Sequence, residues 1–174
     1  MEKIQLKECL DVIIDTHPFA QSINEKLLKE LQNVDYDMSY KTNLSAKMTN
    51  YHTTTDTTVK VTDWIKNILQ PHFLNLHSKP RKLIVKSTWF AKYDKGDFAF
   101  QHKHYRDVDC YSFVYFIKTP KGSSPLVFST SGKRVKAEEG KVVIFPAVMQ
   151  HHVPKNRCHD RIVLCGNIVG PLNI

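Results

Sequence analysis

Cysteine is sparse and unpatterned. Cys9, Cys110, Cys158 and Cys165 form no C-x-x-C pair, which argues against a disulfide scaffold and against a cysteine-type zinc module. No apolar run approaches the roughly 18 residues needed to span a bilayer. The opening MEKIQLKECL lacks the basic-then-apolar pattern of a signal peptide. No repeat, low-complexity tract or Pro/Gly-rich linker divides the chain. What is present suits one domain: 174 residues, 41% hydrophobic and 24% charged, enough apolar material for a core and too much for compositional disorder. The expectation is a reduced, soluble, single-domain protein of the cytoplasm. Two features stand out from this background, nine histidines and a formal charge of +8.

The first third reads as helical cover. Pro18 sits where a first-turn proline is tolerated, and Phe19, Ile23, Leu27, Leu28 and Leu31 recur at helical spacing until Asn33. The polar stretch from Asp37 to Thr58 has no strong period and reads as a long loop or irregular strand. A second helix fits Val61 to Leu69, with Trp64, Ile65, Ile68 and Leu69 on one face and Pro71 near its end. From Lys82 onward the texture changes to short β-branched and aromatic runs: LIVKSTWFAKY, FAF, CYSFVYFIK, PLVFS, KVVIF and RIVLCGNIV. Strands at this spacing, broken by turn residues, predict an antiparallel sandwich or barrel rather than a βαβ sheet. The fold class is therefore α+β, helices first, with one sheet face against the helices and the other kept for a pocket.

The histidines divide by context. His17, His52, His72 and His77 are isolated in helical or loop settings, and His159 lies in a polar turn. His102 and His104 flank Lys103 in what reads as strand, where residues two apart point the same way and can ligate one ion. A third ligand from another strand would complete one face of an octahedron. His151 and His152 follow KVVIFPA, and strand alternation lets only one of them share that face. The competing reading is a basic, solvated strand end. Downstream, Arg161 opens the apolar run RIVLCGNIV. An unpaired buried guanidinium is costly, so this position calls for an anionic partner, either a ligand carboxylate or a protein one, unless it is exposed at the strand edge.

Taken in order, WFAKYDKGDFAFQHKH, DCYSFVYFIKTP and GKVVIFPAVMQHHVPKNRCHDRIVLCGNI resemble the Fe(II)- and 2-oxoglutarate-dependent dioxygenases, with the pattern closest to the prolyl-hydroxylase branch and to small oxygenases of phage genomes. The resemblance covers Trp89 to Ile168. It implies a double-stranded β-helix (jelly-roll, cupin-like) in a single domain of 1–174, with 1–81 as mainly helical support and loop and 82–174 as the β core. It implies His102 as first metal ligand and His151 as distal ligand, Arg161 as the anchor of the far carboxylate of 2-oxoglutarate, and Tyr93 as a wall of the cosubstrate pocket. Where the family often has tyrosine this chain has Phe116, so one hydrogen bond to the cosubstrate is missing or comes from elsewhere.

One departure matters more: His104 stands where the family's H-x-D motif has its carboxylate. A triad of His102, His104 and His151 is all neutral. Asp107 or Asp109 bending back as the carboxylate ligand, His152 in place of His151, and a site without functional iron all stay open. The implied activity is hydroxylation of a prolyl residue in a protein or peptide, with Fe(II), 2-oxoglutarate and dioxygen required and succinate and CO2 as co-products. The resemblance also implies a viral source and action in the host cytoplasm. A non-catalytic metal-binding β-sandwich and a nucleic-acid oxidative demethylase are the alternatives, and the Asp37–Thr58 segment is a candidate lid.

Overall fold

The computed structural model describes residues 10–36, 43–76, 82–104 and 110–170. The chain runs β1 (Ile13–Thr16), α1 (Ala20–Glu30) with a 3-10 turn at Leu31–Asn33, then β2 (Leu44–Ser45), β3 (Lys47–Met48) and α2 (Asp56–Leu76). Eight strands follow: β4 (Ile84–Tyr93), β5 (Phe98–His102), β6 (Cys110–Lys118), β7 (Leu126–Phe128), β8 (Arg134–Val135), β9 (Lys141–Pro146), β10 (His151–Val153) and β11 (Arg161–Val169). They form a six-stranded sheet in the order β1-β9-β6-β11-β4-β3 and a five-stranded sheet in the order β2-β5-β10-β7-β8. Two helices and two antiparallel sheets make the α+β double-stranded β-helix expected from the sequence.

Strict alternation along β6 and β11 builds the layers. Phe113, Tyr115 and Ile117 on β6, with Ile162 and Leu164 on β11, face α1 and α2 and pack with Leu27, Val61, Ile65 and Leu69. Their neighbours Val114, Phe116 and Val163 face the smaller sheet and pack with Trp89, Ala91, Leu126, Phe128 and Phe145. The large sheet is thus buried on both faces. One face rests on the helices and the other lines the interior between the sheets, as the alternation of Ser112, Val114 and Phe116 against Tyr111, Phe113 and Tyr115 predicts.

Two local features differ from the sequence reading. The helix expected at 61–69 begins earlier and continues through Pro71. Its start is fixed by a reciprocal cap: the Thr55 N–H donates to Thr58 Oγ1 at 2.7 Å and the Thr58 N–H donates to Thr55 Oγ1 at 3.2 Å. The hydroxyls of Thr55 and Thr57 also donate to the Glu30 carboxylate, tying α2 to α1. The first third further supplies three short strands, β1 to β3, that pattern alone does not reveal. β2 and β3 have two residues each, and β1 is an edge strand held against β9 from Ile13↔Ile144 to Thr16↔Lys141. The turn before β9 requires Gly140 at φ +80, where an added Cβ would collide with the Ala20 side chain.

His17 is enclosed where β1 hands over to α1. Its ring meets Trp64 edge-on at 4.6 Å, its Nδ1 accepts the Phe19 N–H at 3.1 Å, and burial lowers its pKa. His159 is exposed beside Asp94 at 3.3 Å. His77 lies outside the described residues. No helix among the described residues is long and apolar enough to cross a membrane.

Candidate functional site

Across the small sheet, β10 pairs with β5 so that His151 stands directly opposite His102, while Val153 stands opposite Ala99. Three residues on β10 (151–153) thus span four on β5 (99–102). The extra residue is a β-bulge, which turns Ala99 and His102 toward the same interior. His104 lies just past the end of β5, not on a regular strand, and its N–H donates to the Ala147 carbonyl at 2.8 Å. Strand alternation alone would have placed His102 and His104 together. Here a bulge and a backbone tether achieve the same result.

The three rings converge. Centroids are 4.2 Å apart for His102 and His151, 5.0 Å for His102 and His104, and 5.3 Å for the stacked His104 and His151. One nitrogen from each lies within 4.8 Å of the other two, a grouping that can hold a metal ion. Two of the rings are oriented by carbonyls. His102 Nδ1 is 2.7 Å from the Phe100 oxygen and His151 Nδ1 is 2.9 Å from the Met149 oxygen. A carbonyl oxygen accepts only, so each Nδ1 carries the proton and each Nε2 keeps a free lone pair.

Burial keeps these imidazoles neutral. Desolvation, followed by the charge of His102, lowers His104 to about 4 and His151 to about 3, and desolvation also lowers His102. His152 points elsewhere, its Nδ1 2.9 Å from Ser129 Oγ. The structure therefore gathers His102, His104 and His151 and leaves His152 out. Asp107 and Asp109 lie outside the described residues.

The same cavity holds the arginine. About 60 Å³ of interior is bounded by the three histidines, Trp89, Tyr93, Phe145 and Arg161. Arg161 is 1% exposed, the largest of the fully buried side chains. Its Nε donates to the Ser124 carbonyl at 3.0 Å, and the guanidinium lies over the Tyr93 ring at 4.6 Å and near Phe116 at 5.4 Å. Nη1 is the buried side-chain nitrogen or oxygen, among the described residues, that has no hydrogen-bond partner.

No anion answers this charge among the described residues. Burial raises the Tyr93 hydroxyl pKa and pushes the neighbouring Cys165 thiol up to about 12, so both are neutral. A fully buried cation with an unmet donor, on a residue that bounds the cavity, fits a ligand carboxylate. Three converging, neutral imidazoles fit a divalent metal. Both elements needed for an iron and 2-oxoglutarate site are thus met by residues of this chain.

Other cavity residues escaped the sequence reading. Trp89 was accessible in principle, since Tyr93, Ala91 and Trp89 alternate on β4 toward the interior. Asn43, Leu44, Met48 and Tyr51 also line the cavity, from the polar segment that had read as loop or lid. Ser124 meets Arg161 through its backbone carbonyl, which no residue pattern signals.

No protein-family signature matches the chain, and no curated protein matches its sequence. Solved structures do match. The viral collagen prolyl hydroxylase of Paramecium bursaria Chlorella virus-1, determined with 2-oxoglutarate, superposes with a TM-score of 0.72 at 11% identity, over 92% of this chain and 96% of that one. A prolyl-4-hydroxylase of Pseudomonas putida gives 0.67 at 16% identity over 92% and 93%. HygX of Streptomyces hygroscopicus, with nickel and 2-oxoglutarate bound, gives 0.67 at 11% identity over 94% and 84%. The fold is that of the 2OG-Fe(II) oxygenases. Prolyl hydroxylases, viral and bacterial, are among its structural neighbours at these low identities.

Proposed function

We propose that this protein is an Fe(II)- and 2-oxoglutarate-dependent dioxygenase that hydroxylates a prolyl residue in a protein or peptide. The observation that carries the reading is Arg161, buried with an unmet Nη1 donor at the wall of the cavity on which three imidazoles converge. In this reading His102 and His151 hold the metal through the nitrogens that the Phe100 and Met149 carbonyls leave unprotonated, and His104 completes the set. Arg161 pairs with the far carboxylate of 2-oxoglutarate, and the Tyr93 ring supports the guanidinium from one face.

Ferrous iron, bound with 2-oxoglutarate and dioxygen, supplies the oxidation that hydroxylates the substrate and releases succinate and carbon dioxide. The chain's own part is positioning, charge pairing and exclusion of water by Trp89, Phe145 and Val114. The prolyl assignment is supported by two neighbours whose substrate class is in their names, and by the prolyl-hydroxylase-like order of motifs around His102, His151 and Arg161. The test is succinate release from purified protein given Fe(II), 2-oxoglutarate and proline-containing peptides, with mass spectrometry for the added oxygen. Turnover with an oxidised peptide is expected. Absence of both succinate and ferrous binding overturns the dioxygenase reading, whereas succinate release with no oxidation of any proline peptide removes the prolyl assignment alone.

The three-histidine set has its own consequence. His104→Asp restores a negative charge beside the ion, and even at surface-like dielectric a unit charge a few ångströms away is worth on the order of 1–4 kcal/mol. Titration calorimetry with Mn(II), a cation that favours oxygen ligands, should show affinity rising about tenfold or more. Unchanged affinity would place the His104 ring outside the coordination sphere.

A further inference from the structure

The segment between β10 and β11 reads as a polar turn, PKNRCHD, yet Asn156 within it is 2% exposed. A buried amide must place its donors and acceptor on partners, and this one joins three separate stretches of chain. Asn156 Oδ1 accepts the Ser124 N–H at 3.0 Å. Nδ2 donates to the Cys158 carbonyl at 2.8 Å and reaches the Tyr93 and Asp94 carbonyls at 3.4 Å each. The backbone of the same residue closes the β4–β5 turn, its N–H donating to Asp97 O at 2.7 Å and its carbonyl accepting the Gly96 N–H at 2.8 Å.

Two of the residues so held are those that orient Arg161. Ser124 offers the carbonyl that accepts from Nε, and Tyr93 offers the ring beneath the guanidinium. Asn156 therefore stands one bond behind each of these contacts. The guanidinium has no hydrogen bond from Nη1, so its aim depends on the Ser124 carbonyl and the Tyr93 ring. A shift of either support swings the unmet donor relative to the cavity.

We infer that Asn156 is a positioning residue for the carboxylate anchor, acting through Ser124 and Tyr93 to set the direction of Arg161; this rests on the reading that Arg161 receives the far carboxylate of 2-oxoglutarate. Loss of the amide blurs the aim of the guanidinium without touching the metal ligands. The penalty therefore falls on ligands that use the far carboxylate and spares those that lack it. A general loosening of the fold would weaken both alike.

The test compares 2-oxoglutarate with 2-oxopentanoate, which has the same carbon count and the same 2-oxo acid but no far carboxylate. Their affinities for Mn(II)-loaded protein are measured by calorimetry, in the wild type and in Asn156→Ala. The wild type should prefer 2-oxoglutarate strongly, and the variant should lose about tenfold or more of that preference, with Mn(II) affinity and 2-oxopentanoate affinity within about twofold of wild type. If Asn156→Ala does not fold, Asn156→Asp serves. It keeps the acceptor for Ser124 and loses the Nδ2 donors to the Tyr93, Asp94 and Cys158 carbonyls, so the preference should fall there too. A wild-type preference retained in the variant overturns the role of Asn156 alone. No preference in the wild type overturns the anchor reading and this inference with it.

Discussion

Arg161→Leu is expected to make the ligand-free protein more stable and to abolish its stabilisation by 2-oxoglutarate. The side chain is 1% exposed, donates from Nε to the Ser124 carbonyl, interacts with Tyr93, has no partner at Nη1, and faces no carboxylate among the described residues. Burial accordingly lowers its pKa, although a guanidinium stays charged at any ordinary pH. Replacing buried charged groups with apolar side chains of similar volume often stabilises by about 1–4 kcal/mol, and leucine, shorter than arginine, should reach the lower part of that range. For a domain of this length that is a rise in Tm of roughly 2–4 °C per kcal/mol. The guanidinium's lost contacts with Tyr93 and Phe116 offset part of the gain.

With ligand only the wild type gains. At 100 times Kd, 2-oxoglutarate should stabilise the metal-loaded wild type by about 2.7 kcal/mol. Truncating one partner of a buried charge pair costs about 2–5 kcal/mol of binding, so the leucine variant should show almost no ligand-induced shift at that concentration. Differential scanning fluorimetry with and without 2-oxoglutarate reads both effects. A variant that melts well below the ligand-free wild type, or that keeps the wild-type shift, would show that the guanidinium is a structural group and not a carboxylate anchor.

His151→Ala should lower divalent-metal affinity by more than about 100-fold, while His152→Ala should change it by less than about twofold. Removing residues that merely orient metal ligands already costs about 10–100-fold, and loss of a ligand should exceed that. His151 is 4% exposed, lies opposite His102, and its Nδ1 is turned to the Met149 carbonyl. His152 is turned to Ser129. Calorimetry with Mn(II) or Zn(II) on both variants decides between the adjacent histidines. Equal losses in the two would displace His151 from the site.

The major strand runs from Lys82 onward, the one-sided burial along β6 and β11 and the helical face of α1 are all legible in the sequence, because each rests on a local period that burial of one face imposes on the chain. Arg161 is legible too, as a charge opening an apolar strand. The position and pairing of the short strands of the first third are not. β2 and β3, within the stretch that reads as loop or irregular strand, have two residues each and no period, and β1 has four. Each exists only by pairing with a neighbour far along the chain. The same holds for the early start of α2, where the pair Thr55 and Thr58 forms a cap that a search for an apolar face passes over.

The histidine surplus and the net charge fare differently. Composition draws attention to both, and spacing singles out H-K-H, H-H and Arg161 as the places where chemistry is concentrated. The sequence by itself thus determined the layers of the fold and a short roster of candidate ligands. Tertiary structure decided which of them meet. A bulge in β5 opposite β10 turns His102 inward, a bond to Ala147 brings His104 beside it, and pairing across β10 selects His151 over His152. It also decided that Arg161 is enclosed with an unmet donor, and that a buried asparagine in an apparently solvated turn stands behind its supports. These are relations between strands far apart along the chain, fixed by register and packing, and no local period encodes them.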